Sequence, residues 1–220
     1  MTRASNARIA GSAFLLYIAL GIAAMVLMGR ATGATGIAAK LASIAQHAGD
    51  VRLAVVLNLF ASFCAVVLGV TLYAITRDED PDVAMLGLTF RVAEGIAGGI
   101  AIQGTLRLLW LATASGAEAP NPEATQALGA YLLSGQGPSA MFFAVGSTCF
   151  AWLLLRGRMI PVALAWLGVA ASVLLVVGIP LQLLGLLSNA ATWFLWIPMA
   201  AFEVPLALWL IVKGVSEKKG

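Results

Sequence analysis

Ionisable groups are scarce in this chain: of its 220 residues only 10% are charged, one is a histidine (His47) and two are cysteines, Cys64 and Cys149. A water-facing globule carries about 25% charged residues, so there is too little polar surface here to cover one. Without a cysteine or second histidine near His47, a zinc site built from protein ligands and a bis-histidine haem are both excluded. No Ser-His-Asp or Cys-His constellation can be assembled around a histidine in a polar connection. The net charge of +3 is too small for a nucleic-acid surface. Both cysteines sit in apolar runs, where a thiol acts as a small hydrophobe rather than half of a disulfide.

Apolar residues, by contrast, make up 61% of the chain. They gather in runs long enough for a hydrocarbon core about 30 Å thick, which takes about 20 helical residues at about 1.5 Å each. Six segments meet that need, at about 9–29, 51–76, 83–111, 138–155, 160–187 and 192–213. The first is read as a retained span, because its apolar stretch exceeds a signal-peptide core and no A-x-A-like site follows. No polar linker divides the chain, so the expected fold is one all-α polytopic membrane bundle over residues 1–220. The connections "ATGATGIAAKLASIAQHAGD" and "ASGAEAPNPEATQALGAYLLSGQG" each hold a short amphipathic segment expected at the membrane interface.

Orientation follows from lysine and arginine alone. One side of a six-span bundle collects Arg3, Arg8, Arg77, Arg156, Arg158, Lys213, Lys218 and Lys219, the other only Arg30, Lys40 and Arg52. Both termini are therefore expected in the cytoplasm. Trp110, Trp193 and Trp196 then fall in an outer aromatic belt and Trp152 and Trp209 in an inner one.

Charges inside the spans are the candidate functional residues. Glu203 lies ten residues before Lys213, roughly 15 Å deep, and in "FRVAEGIAGG" Arg91 and Glu94 bracket the same depth. Their i, i+3 spacing puts both on one helix face. A lone charge at that depth costs at least about 2.5–3.5 kcal/mol, so the three are expected to meet inside the bundle. One guanidinium against two carboxylates leaves Glu94 or Glu203 to hold a proton, find another donor or reach water. The same cluster also serves a purely structural reading, as a lock between helices. Pro180, Pro198 and Pro205 are expected to break their helices, the last two around Glu203, because each removes a backbone hydrogen bond. Gly95 and Gly99 offer a close-approach patch beside Glu94. Asn58, Gln103, Arg107 and Gln182 lie in the outer half as a secondary polar lining or as interhelical hydrogen-bonding groups. "GATGIAAK" has the wrong spacing for a phosphate loop. Asp78, Asp80 and Asp82 begin like a calcium loop, but Val83 stands where that loop needs glycine.

The chain resembles a family of bacterial multi-pass membrane proteins, domain of unknown function 4386. The stretches that carry the likeness are "ARIAGSAFLLYIALGI", "FRVAEGIAGG", "LRGRMIPVALAWLGVAASV" and, most specifically, "FEVPLALWLIVKGV". The resemblance implies a single helical domain in the bacterial inner membrane, with Arg91 and Glu203 as family features. It implies no activity, and the cofactor is left open.

These features favour a protein that acts without catalysis. It would bind a lipid, pigment or other hydrophobic small molecule, or serve as an accessory subunit docking on a membrane partner or on a second copy of itself. The alternative is a proton-coupled transporter of a small solute using Glu203 or Glu94. A third reading makes those two carboxylates the acid and base of an intramembrane enzyme. The orientation is checked by reporter fusions: a cytoplasm-active reporter is expected to work at both termini, and a periplasm-active one only in the loops around residues 33–50, 114–137 and 188–191.

Overall fold

The computed structural model describes residues 2–116, 119–134 and 137–216, without the side chains of 189–193. The Trp193 side chain and Lys218 and Lys219, all used above for orientation, lie outside the described residues. The elements are α1 (Arg3–Thr32), α2 (Ile37–Gln46), α3 (Ala48–Thr76), α4 (Pro81–Thr113), α5 (Pro122–Ser134), α6 (Ser139–Arg156), α7 (Val162–Leu183) and α8 (Asn189–Val212). No strand occurs among the described residues. Six stretches are long and apolar enough to cross a membrane: α1, α3, α4, the stretch from Pro122 to Arg156, α7, and Phe194–Val212 of α8. The protein is thus an all-α, multi-pass membrane protein.

Local chemistry explains the helix limits. Asp80 caps α4 by accepting the Val83 N–H at 3.2 Å, and Pro81 follows at the first helical position, where a missing N–H costs nothing. α7 ends short of the expected residue 187. Leu186 N–H reaches the Leu181 carbonyl and Gly185 N–H that of Gln182, with Gly185 at φ +74°. That pair of bonds is a Schellman closure, and only glycine takes its left-handed turn without strain. The breaks expected at prolines do not occur. Pro180 lies within α7, and Pro198 and Pro205 lie within α8. Each removes one amide donor while the bonds on either side hold the helix together.

The chain forms two compact units. The first comprises Met1–Tyr17, Phe63–Gly95 and Pro138–Gly220. Its core includes Phe14, Leu68, Leu72, Phe143, Phe150, Leu175, Phe202 and Leu206, with α7 packed on α6 and α8. At its rim Arg156 pairs with Asp80 at 3.0 Å, an exposed bridge that contributes little to stability. Cys64 and Cys149 are both free thiols. The second unit comprises Ile18–Ser62 and Ile96–Gly137. There α2 packs on α5, and Leu41 and Ile44, one turn apart on α2, join Ala31, Val51, Leu108, Leu109 and Leu111 in a smaller core. The amphipathic pattern read in both connections thus becomes helix in α2 and α5.

Candidate functional site

Four helices of the first unit converge on Arg91. It lies ten residues into α4, and Glu203 nine residues before the end of α8, so each is about 13–15 Å along its helix from that end. Arg91 is 0% exposed, Glu94 3% and Glu203 6%. Arg91 Nη1 donates to Glu94 Oε2 at 2.7 Å. The other oxygen of Glu94 accepts the Tyr17 hydroxyl of α1, also at 2.7 Å. Ser139 of α6 donates to the Glu94 backbone carbonyl at 3.3 Å. Both oxygens of Glu94 are therefore held by short, charge-assisted bonds.

Glu203 is placed differently. Its Oε1 lies 3.9 Å from Arg91 Nη2, an ion pair too long to be a hydrogen bond. Arg91 Nε and Nη2, Glu203 Oε1 and the buried Ser147 Oγ have no hydrogen-bond partner among the described residues. Arg91, Ser147 and Glu203 line a small cavity together with Phe14, Leu72 and Phe150. About 10 Å³ of it is open to the centre of a water-sized sphere, room for about one water molecule. A lipid or pigment does not fit in that space.

Aromatic faces complete the surroundings of the guanidinium. Arg91 Cζ lies 4.8 Å from the Phe143 ring centre and 5.7 Å from that of Phe14, within cation–π range. Phe143 also stacks on Tyr17, with ring centres 6.5 Å apart, and meets Trp196 at 5.5 Å. Trp196 is thus half-buried against the core. The α3 helix comes close because residue 69 is glycine: a Cβ there would stand 2.9 Å from Arg91 Cβ. The close approach expected at Gly99 is not seen, since nothing lies within 4 Å of where its Cβ would be.

The three charges singled out in the sequence are brought together. Of the secondary lining, Asn58, Gln103 and Arg107 are exposed in the second unit and Gln182 is half-buried in the first. The reason is helical phase, since depth along a helix says nothing about the face on which a residue projects. Tyr17 and Ser147 were missed. Tyr17 had a signal: it sits at the middle of its span, while interfacial tyrosines sit at the ends. Ser147 had none, because a serine in a span more often bonds within its own helix. Among the described residues no group of three His, Cys, Asp or Glu comes together to hold a metal ion.

Residues 9–214 match the family model described as Domain of unknown function (DUF4386). No curated protein and no solved structure matches the chain.

Removing one partner from a buried ionic cluster strands the others. Arg91→Ala is expected to destabilise the purified protein by about 3–5 kcal/mol, and Tyr17→Phe, which removes one bond to a charged group, by about 1.5–3 kcal/mol. Gly69→Ala is expected to cost about 1–3 kcal/mol by overpacking against Arg91. Unfolding midpoints in detergent check all three; a Tyr17→Phe loss as large as that of Arg91→Ala contradicts the ranking.

Proposed function

The chain belongs to the DUF4386 family, and on that premise we propose that it is a non-catalytic membrane protein that binds an anionic amphiphile on the outer surface of its second unit. The observation that carries this reading is a row on α4: Ile96, Ile100, Gln103, Arg107 and Trp110 are all exposed. Their spacing of four, three, four and three residues keeps them on one helix face. A row of this kind that faced only acyl chains would be apolar throughout. Gln103 instead lies twelve residues, about 18 Å, beyond the mid-depth Arg91 along α4, where acyl chains give way to headgroups.

The geometry suits one class of ligand. Arg107 offers a planar fork of donors to a phosphate or carboxylate. Gln103, one helical turn deeper, offers an amide N–H about 6 Å away, roughly the step from a headgroup phosphate to an ester carbonyl. Ile100 and Ile96 continue the row as an apolar rail for an acyl chain. Charge supports the same reading. Arg30, Lys40, Arg52 and Arg107 belong to the second unit, and among the described residues none of them makes an ion pair. The cavity beside Arg91 does not compete for the role, since it admits nothing larger than water.

A ligand that binds only the folded state stabilises it in proportion to the logarithm of its concentration, by about 2.7 kcal/mol at a hundredfold excess over Kd. Phosphatidylglycerol added to the detergent-purified chain is expected to raise the unfolding midpoint, phosphatidylcholine to do so far less, and Gln103→Leu/Arg107→Ala to remove the difference. Equal stabilisation of the parent and the double variant overturns the reading.

A further inference from the structure

We propose that the cavity beside Arg91 is a binding site for a single water molecule and one exchangeable proton, held among Glu203, Ser147 and Arg91. Charge counting comes first. One guanidinium faces two carboxylates, so the cluster is left with one negative charge in an interior that solvates charge poorly. Arginine cannot give up its proton to change this. One added proton makes the cluster neutral.

Geometry assigns that proton. Glu94 has a donor on each oxygen, Arg91 and Tyr17, both at 2.7 Å. Such a carboxylate has no oxygen left that needs a proton. Glu203 Oε1 is 3.9 Å from the nearest guanidinium nitrogen and has no hydrogen-bond partner. The titratable and charged groups facing Glu203 are Arg91 and Glu94 from α4 and Tyr17 from α1. The cavity walls on α3 and α6 add none, being Leu72, Ser147, Phe150, Ala151 and Leu154.

The unpaired atoms then account for the water. Arg91 Nη2, Glu203 Oε1 and Ser147 Oγ are each buried and without a partner, and all three residues line the same cavity. A water there accepts from Arg91 Nη2–H and from the protonated Glu203, and donates to Ser147 Oγ. Three bonds is the usual complement of a buried water, and the volume matches one molecule. As pH rises the Glu203 O–H proton leaves to a base in the bulk solvent, and the carboxylate that remains accepts a hydrogen bond from the same water. No other bond is made or broken.

The test is infrared difference spectroscopy of the full chain in phospholipid nanodiscs, recorded between acidic and alkaline buffers. The parent protein is expected to show a protonated-carboxyl C=O band that shifts in D2O and disappears as pH rises. The band should vanish in Glu203→Gln and persist if only exposed acids such as Glu123 are changed. An O–H stretch of one isolated water, displaced in H2(18)O, should be lost in Ser147→Val, which fills the cavity. The C=O band of Glu203 should then move up in frequency as it loses its bond. A carboxyl band that survives Glu203→Gln, or no such band at any pH, overturns the proton. An unaltered water band in Ser147→Val overturns the water. If Glu203→Gln does not fold, the Ser147→Val frequency shift reads the same carboxyl, and an unshifted band overturns the proposal.

Discussion

An arginine that cannot be deprotonated and cannot reach water must be met by carboxylates, wherever in the chain they are. Arg91 is in that position, and much of the first unit follows from it. Glu94 comes from the next turn of the same helix, Tyr17 from the first helix fixes Glu94, and Glu203 arrives from the last helix. Phe14 and Phe143 supply ring faces in place of solvent, and Gly69 clears the space in which α3 can pass. Such a cluster contributes less net stability than its short distances suggest, because desolvation offsets most of the Coulombic gain. Its consequence is specificity. A slip of α8 along α4 would leave a buried charge unpaired, and a slip of α1 would strip a hydrogen bond from Glu94, so the cluster sets the register of helices whose apolar faces would otherwise pack in several ways.

The two units treat their polar groups in opposite manners. In the first, the charged side chains at bilayer depth are buried and meet one another. In the second, Asn58, Gln103 and Arg107 are exposed, and among the described residues its basic side chains make no ion pair. Exposed apolar side chains such as Ile100 at 63% are ordinary for a helix facing lipid; an exposed amide and guanidinium on the same face need polar partners. The contrast separates a part that holds the fold from a part that offers unsatisfied hydrogen-bonding capacity to whatever lies beside it. The small cavity and the exposed row are therefore distinct features, and neither inference depends on the other.

How far the site was legible depended on the kind of signal each residue carried. Arg91, Glu94 and Glu203 stood out because charge in an apolar run is costly, and equal depth made their meeting the cheapest arrangement. The prolines misled, since a missing backbone donor weakens a helix locally without ending it when the flanking turns are well packed. Tyr17 was visible only as a polar-tipped ring at an unusual depth, and Ser147 not at all.

Amino-acid order alone determined the class, the six membrane-crossing stretches, the helical connections, the family, and the convergence of one guanidinium with two carboxylates. Those rest on composition, length and depth, which are one-dimensional quantities. Only the tertiary structure decided that Glu94 is fully bonded while Glu203 is not, that Ser147 joins the cavity, and that Gln103 and Arg107 face outward. These depend on helix rotation and on differences of about an ångström between segments far apart in the chain, where 2.7 Å is a hydrogen bond and 3.9 Å is not.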